Sequence, residues 1–200
     1  MRTHLAAIAA SLAVASPALA SDSYPPVRVD LAFVAAYGPG DASTYGAGLS
    51  VEPKYAILDQ LSAGLRIEAL GMGTNGVTVS GQNVSVGARG VVAFLAKADY
   101  YLTTTSVRPF LAFGAGLYLV GSSSAQASAT TAAVSTESFT GFGVCPQVGL
   151  NLGAFRLAAA YNVITGGDST TATFGNVALP SKNYFSFDIG GTFGGARSSP

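Results

Sequence analysis

The chain is poor in charge. Of its 200 residues a tenth are Asp, Glu, Lys or Arg, where an ordinary soluble domain carries about a quarter. The formal net charge is zero, so no electrostatic argument points to nucleic acid. A single cysteine, Cys145, excludes an internal disulfide and with it the disulfide-stapled secreted mini-domain. The one histidine is His4, at the extreme N-terminus. Long apolar runs are also missing. Beyond the N-terminal segment the nearest is Pro109 to Gly121, PFLAFGAGLYLVG, too short and too rich in glycine for the ~20 residues of a membrane-crossing helix.

What is present begins with an export signal. Residues 1–20, MRTHLAAIAASLAVASPALA, combine a basic start at Arg2, an apolar stretch from Leu5 to Ala15, a break at Pro17 and a small-x-small end at Ala18 to Ala20. This pattern predicts a secretory signal peptide cleaved after Ala20, leaving a single domain over 21–200. Ser21 rather than a cysteine stands directly after the cleavage point, which argues against a lipid anchor there. Removal of the signal takes away His4, so the mature chain is expected to hold no imidazole.

Along the rest of the chain apolar and small or polar residues alternate with a period of two, the signature of strands. Eight strands are predicted, at about 27–37, 45–57, 61–73, 84–102, 108–120, 139–151, 155–164 and 183–193. One phase carries the large apolar residues, among them Phe33, Leu49, Leu65, Phe94, Phe113, Phe142, Tyr161 and Phe187. The other takes the strand charges: Arg28, Asp30, Glu52, Lys54, Arg66, Glu68, Arg89, Lys97, Asp99, Arg108, Arg156 and Asp188. A soluble antiparallel sheet can also alternate, so the connections have to separate the two cases. Three are expected to be short, at Leu58 to Gln60, Thr103 to Val107 and Leu152 to Ala154. Four are expected to be long, at Gly38 to Thr44, Thr74 to Asn83, Gly121 to Ser138 and Thr165 to Lys182. They alternate strictly, which places every long connection at one end of an up-and-down barrel.

Hydrocarbon tolerates no open sheet edge, and eight strands is the smallest common closure. The expectation is therefore an all-β, eight-stranded antiparallel up-and-down transmembrane β-barrel, with aromatic residues facing lipid and charges inside. The inverted barrel would have to pack about thirty large apolar residues into a bore too small for them. With its signal peptide, the RPFLAFGAGLYLV segment from Arg108, the QVGLNLGAFRLAAAY hairpin from Gln147 and the closing YFSFDIGGTF, the chain resembles the OmpA/OmpX-like eight-stranded outer-membrane barrel family. The resemblance implies a bacterial outer-membrane location, contact with outer-membrane lipids and lipopolysaccharide, and handling by the assembly machinery. It also implies a monomer with a structural or surface-interaction role. Members commonly end on an aromatic residue, whereas GGARSSP follows Phe193 here, and no peptidoglycan-binding domain is expected.

Chemistry is sparse. Interior charges are expected to pair, because an enclosed lone charge is costly. Register arithmetic sets Glu52 opposite Arg66, brings Glu68 toward Lys54 only through long side chains, and a tight turn at Thr103-Thr104 would set Asp99 opposite Arg108. The alternative is a narrow small-solute channel lined by these charges. Paired carboxylates such as Glu52 and Glu68 could do acid-base work, but their basic neighbours speak against it. A serine nucleophile would lack a histidine to activate it, which removes the His-dependent outer-membrane hydrolases, so no enzyme is expected. No metal or other cofactor is expected either, with no histidine, one cysteine and no close acidic cluster. The glycines at Gly38 and Gly114 lack the strand-to-helix context of a phosphate loop and read as space-savers or turns. Pro53 and Pro146 each predict a bulge. Cys145 is placed inward, near Asn162. The GSSSAQASATTAAVSTES stretch from Gly121 reads as a solvated loop, or as a contact surface for a host or another envelope protein. A soluble periplasmic lipocalin-like ligand-binding barrel is the remaining alternative.

Overall fold

The computed structural model describes residues 27–39, 44–78, 83–128, 131–166 and 182–194. The expected signal peptide lies outside them, as do most of the Gly38 to Thr44 and Thr165 to Lys182 connections. Eight strands follow one another: β1 (Val27–Gly38), β2 (Thr44–Leu58), β3 (Leu61–Thr78), β4 (Asn83–Tyr101), β5 (Val107–Ser128), β6 (Thr131–Leu152), β7 (Phe155–Thr165) and β8 (Tyr184–Phe193). Each pairs antiparallel with its sequence neighbours, and β8 closes on β1 from Val29↔Phe193 to Tyr37↔Phe185. The barrel is the one the alternation predicted.

The pairing also fixes the tilt of the strands. From Ala36 the register runs through Gly46, Met72, Arg89 and Ser122 to Glu137 of β6, and the other way through Ser186 and Ala160 to Gln147 of β6. The two routes meet ten residues apart on one strand. A stagger of ten over eight strands tilts them by about 40°, using ~3.3 Å per residue and ~4.8 Å between strands. The ten residue steps of β1 from Val27 to Tyr37 then span a height of about 25 Å, which matches the apolar band of an outer-membrane barrel.

Burial follows the two-residue period. On β1 the buried residues are Arg28, Asp30, Ala32, Val34, Ala36 and Gly38, while Phe33 is 72% exposed. On β8, Tyr184, Ser186 and Asp188 are buried, and Phe185, Phe187 and Ile189 are exposed. Large apolar side chains stand outward all round, and every strand charge whose side chain is described is buried inside. Such a wall would be unstable in water and is matched to hydrocarbon.

Three features depart from the sequence reading. First, two predicted loops are mostly strand. β3 and β4 stay paired to Thr78↔Asn83, and β5 and β6 to Ser128↔Thr131. Among the described residues β2 meets β3 up to Thr44↔Thr74 and β7 meets β6 up to Thr165↔Phe142, and the pairing of β3 to β6 continues past those points as a four-stranded sheet. Second, neither proline makes a bulge. Val51↔Ile67 and Lys54↔Gly64 share one register across Pro53, and Val144↔Val163 and Gln147↔Ala160 share one across Pro146. Each proline removes a ladder donor without adding a residue. The irregularity of β2 falls instead between Ala56 and Leu58, where Leu58 meets Leu61 at the turn. Third, Asp99 faces Ala112 rather than Arg108, because the connection from β4 runs to five residues and carries Arg108 down to the barrel end.

Candidate functional site

The inward side chains form three layers along the barrel axis, and their order follows from their positions on the strands. Nearest the short turns lie Tyr101 and Phe110, tilted against each other with ring centroids 5.8 Å apart. Three guanidinium groups cover these rings: Arg108 4.3 Å and Arg28 5.4 Å from the Tyr101 centroid, and Arg156 4.0 Å from that of Phe110, distances typical of cation–π contacts. Arg108 also donates to the Asp59 and Thr103 carbonyls, and Arg28 to Ser62 Oγ at 3.2 Å. Glycine makes room for this layer: a Cβ on Gly149 would lie 2.3 Å from Phe110 Cζ.

The middle layer holds five carboxylates, Asp30, Glu52, Glu68, Asp99 and Asp188, and four cations, Lys54, Arg66, Lys97 and Arg156, all buried. Arg66, fully enclosed, is its hub. Its Nη1 donates to Glu52 Oε1 at 2.5 Å and Asp188 Oδ2 at 2.6 Å, and its Nε to Glu68 Oε2 at 2.9 Å. Lys97 Nζ grips both oxygens of Glu52, at 2.9 and 2.8 Å. Arg156 reaches Asp30 at 3.1 Å and Asp99 at 3.5 Å.

Two neutral donors complete the shell, Tyr184 OH to Glu68 Oε1 at 2.7 Å and Gln147 Nε2 to Asp188 Oδ2 at 2.7 Å. Gln147 also accepts from Lys97 and Arg156, so one amide joins the two halves of the network. The sequence reading missed both donors. Their signal was present, since each is polar and shares the inward phase of its strand.

Contrary to expectation, the fold does gather an acidic cluster. Oxygens of Asp30, Glu52 and Asp99 lie within 4.8 Å of one another. Lys54 stands among them, 2.6 Å from Asp30, 2.8 Å from Glu52 and in direct contact with Asp99. Its ammonium takes the place a metal cation would fill. Glu68, which the register brings toward Lys54 only through long side chains, is held by Arg66 and Tyr184.

The layer toward the long connections is apolar: Val34, Leu70, Met72, Val91, Leu95, Tyr118, Val120, Cys145 and Ile164 form one buried cluster with Tyr184. Tyr118 donates to Asn162 Oδ1 at 2.9 Å, and Asn162 Nδ2 to Ser186 Oγ at 3.1 Å. Cys145 is buried here, as its phase predicted. Arg89 sits at the edge of this layer and donates to the Lys182 carbonyl at 2.8 Å. The glycine positions again fit an aromatic ring, for a Cβ on Gly143 would lie 2.6 Å from Tyr118 Cε2.

The twelve charged residues singled out by sequence therefore divide. Nine make the middle layer, Arg28 and Arg108 cap it at the turn end, and Arg89 stands apart at the other. This arrangement fills a bore. Among the described residues nothing in it pairs a nucleophile with an activating base.

No family model matches the chain, and no curated protein matches it either. Solved structures do. The chain is similar to the N-terminal β-barrel domain of Pseudomonas aeruginosa OprF, at 14% identity and TM-score 0.44 over 85% of this chain and 99% of that one. Ail, the attachment invasion locus protein of Yersinia pestis, gives 13% and 0.43 over 86% and 100%. The outer membrane protein OprG from Pseudomonas aeruginosa gives 12% and 0.45 over 86% and 98%. The fold class rests on the strand pairing itself: a closed, antiparallel, eight-stranded up-and-down β-barrel with charges inside and a wall built for hydrocarbon.

Proposed function

We propose that the chain is a small bacterial outer-membrane barrel with a structural or surface-contact role and no catalytic activity. The observation that carries this is the outward wall of Phe33, Leu49, Phe113, Phe142, Phe187 and their neighbours, set against an interior that takes the strand charges. Lipids and lipopolysaccharide bathe that wall, the assembly machinery inserts the chain, and host or envelope contacts fall to the end bearing the long connections. The barrel works as a monomer. The soluble ligand-binding alternative needs the reverse arrangement, an apolar bore and a polar wall. The channel alternative needs a continuous polar path, and the packed apolar layer around Leu95 and Tyr118, each fully buried, speaks against one.

The test is electrophoresis of the outer-membrane fraction in SDS, with and without boiling. A band in that fraction that shifts on heating is the expected result; recovery in the soluble periplasm with no shift would sink the proposal. In planar bilayers the protein is expected to give no resolvable conductance, and steady single-channel steps altered by Glu52→Gln would restore the channel reading.

A further inference from the structure

We propose that the charged middle layer is a kinetic latch on barrel closure: it slows both the opening and the closing of the β1–β8 seam, while adding little to equilibrium stability. The inference rests on the membrane reading above. Its first support is which strands the layer ties together. Arg66 on β3 holds Asp188 on β8 at 2.6 Å, Glu68 on β3 accepts from Tyr184 on β8 at 2.7 Å, and Asp30 on β1 meets Arg156 on β7 at 3.1 Å. Each tie joins one of the first three strands to one of the last two, across the bore, so none can form until the ends of the chain have come together.

Its second support is enclosure. Leu95 and Tyr118 lie on one side of the layer and Tyr101 and Phe110 on the other, each at most 1% exposed, with lipid outside the wall. Opening the seam must pull these charges apart before water can reach them, and closing it must strip their water before their partners are in place. Both directions cross the same desolvated, partly unpaired state, in which the low dielectric makes an uncompensated charge most costly. The end states differ much less, because a buried ion-pair set replaced by apolar groups of similar volume is often neutral or stabilising. A latch of this kind holds an inserted barrel shut through its unfolding rate rather than through its equilibrium.

The experiment measures folding and unfolding rates of the protein in phospholipid vesicles under urea, read from the SDS mobility shift over time. The altered protein carries Arg66→Met, Glu68→Leu, Tyr184→Phe and Asp188→Leu together, which removes the hub and its β8 partners while roughly keeping volume. Both rates are expected to rise at least tenfold, with the urea midpoint little moved. Faster unfolding with folding unchanged or slower would make the layer an ordinary stabiliser formed after the barrier, and overturns the latch. Rates within twofold of the original overturn it too. If the fourfold variant does not fold, Asp188→Asn decides: it breaks the Arg66 pair on one side and lowers the urea midpoint, so a folding rate that nevertheless rises about threefold supports the latch, and a folding rate unchanged or slower removes it. Failure of the unaltered protein to fold into vesicles would count against the membrane reading instead.

Discussion

Arg66 shows what a single side chain does in this molecule. Its guanidinium serves Glu52, Glu68 and Asp188 from one fully enclosed position. Removing it leaves three carboxylates short of a partner, and breaking a buried ion pair on one side costs about 3–5 kcal/mol. Arg66→Met alone is therefore expected to lower the stability of the folded barrel by that order, seen as a lower urea midpoint. Arg66→Lys should recover only part of the loss, because one ammonium cannot present the planar fork that reaches three acceptors. Full recovery by lysine would mean that charge matters here and geometry does not. The sequence revealed the inward phase of these residues because a strand alternates faces with a fixed period. It revealed partners only where they lie across one hairpin, as Glu52 and Arg66 do. The Glu68–Tyr184 bond spans the bore between β3 and β8, and no local pattern encodes which inward residues meet there.

At the scale of elements, strand existence was legible and strand length was not. Ser122 to Glu137 is low in complexity and shows no alternation of large and small residues, so it read as loop. Its backbone nevertheless continues the ladder from Gly121↔Ser138 to Ser128↔Thr131. Pairing below sets the register, and small β-tolerant residues simply extend it. The prolines taught the converse lesson. A missing N–H is visible in sequence, yet whether the ladder bulges or skips one bond depends on the neighbouring strand. Among the described residues β6 meets β7 from Phe142↔Thr165 downward, so these closing pairs lie below the projecting part of β5–β6. Replacing residues 124–135 by a four-residue Asn-Gly turn should leave the heat-dependent gel shift intact and the urea midpoint within about 1 kcal/mol, the scale of surface changes away from a core. A shortened protein that no longer shifts on heating would show that the projecting sheet is needed for the barrel to form.

For the molecule as a whole, the question is which solvent the wall faces, and one position answers it. Phe33 lies mid-strand on β1, points outward and is 72% exposed, so it takes little part in packing. In water, exchanging it for arginine would be neutral or helpful, because an exposed aromatic gives way to a charge. In a bilayer the same exchange places a cation near the midplane of the apolar band, at a cost of about 2–4 kcal/mol. Phe33→Arg is therefore expected to lower stability by that amount in phospholipid vesicles, with Phe33→Leu close to the original. At Val27, on the same face but at the rim, arginine should cost about 1 kcal/mol or less, because the penalty fades toward the interface. Loss of core packing would give no such dependence on depth, and a membrane of ~25 Å apolar thickness requires it. Equal effects at the two positions would mean that the wall does not face hydrocarbon.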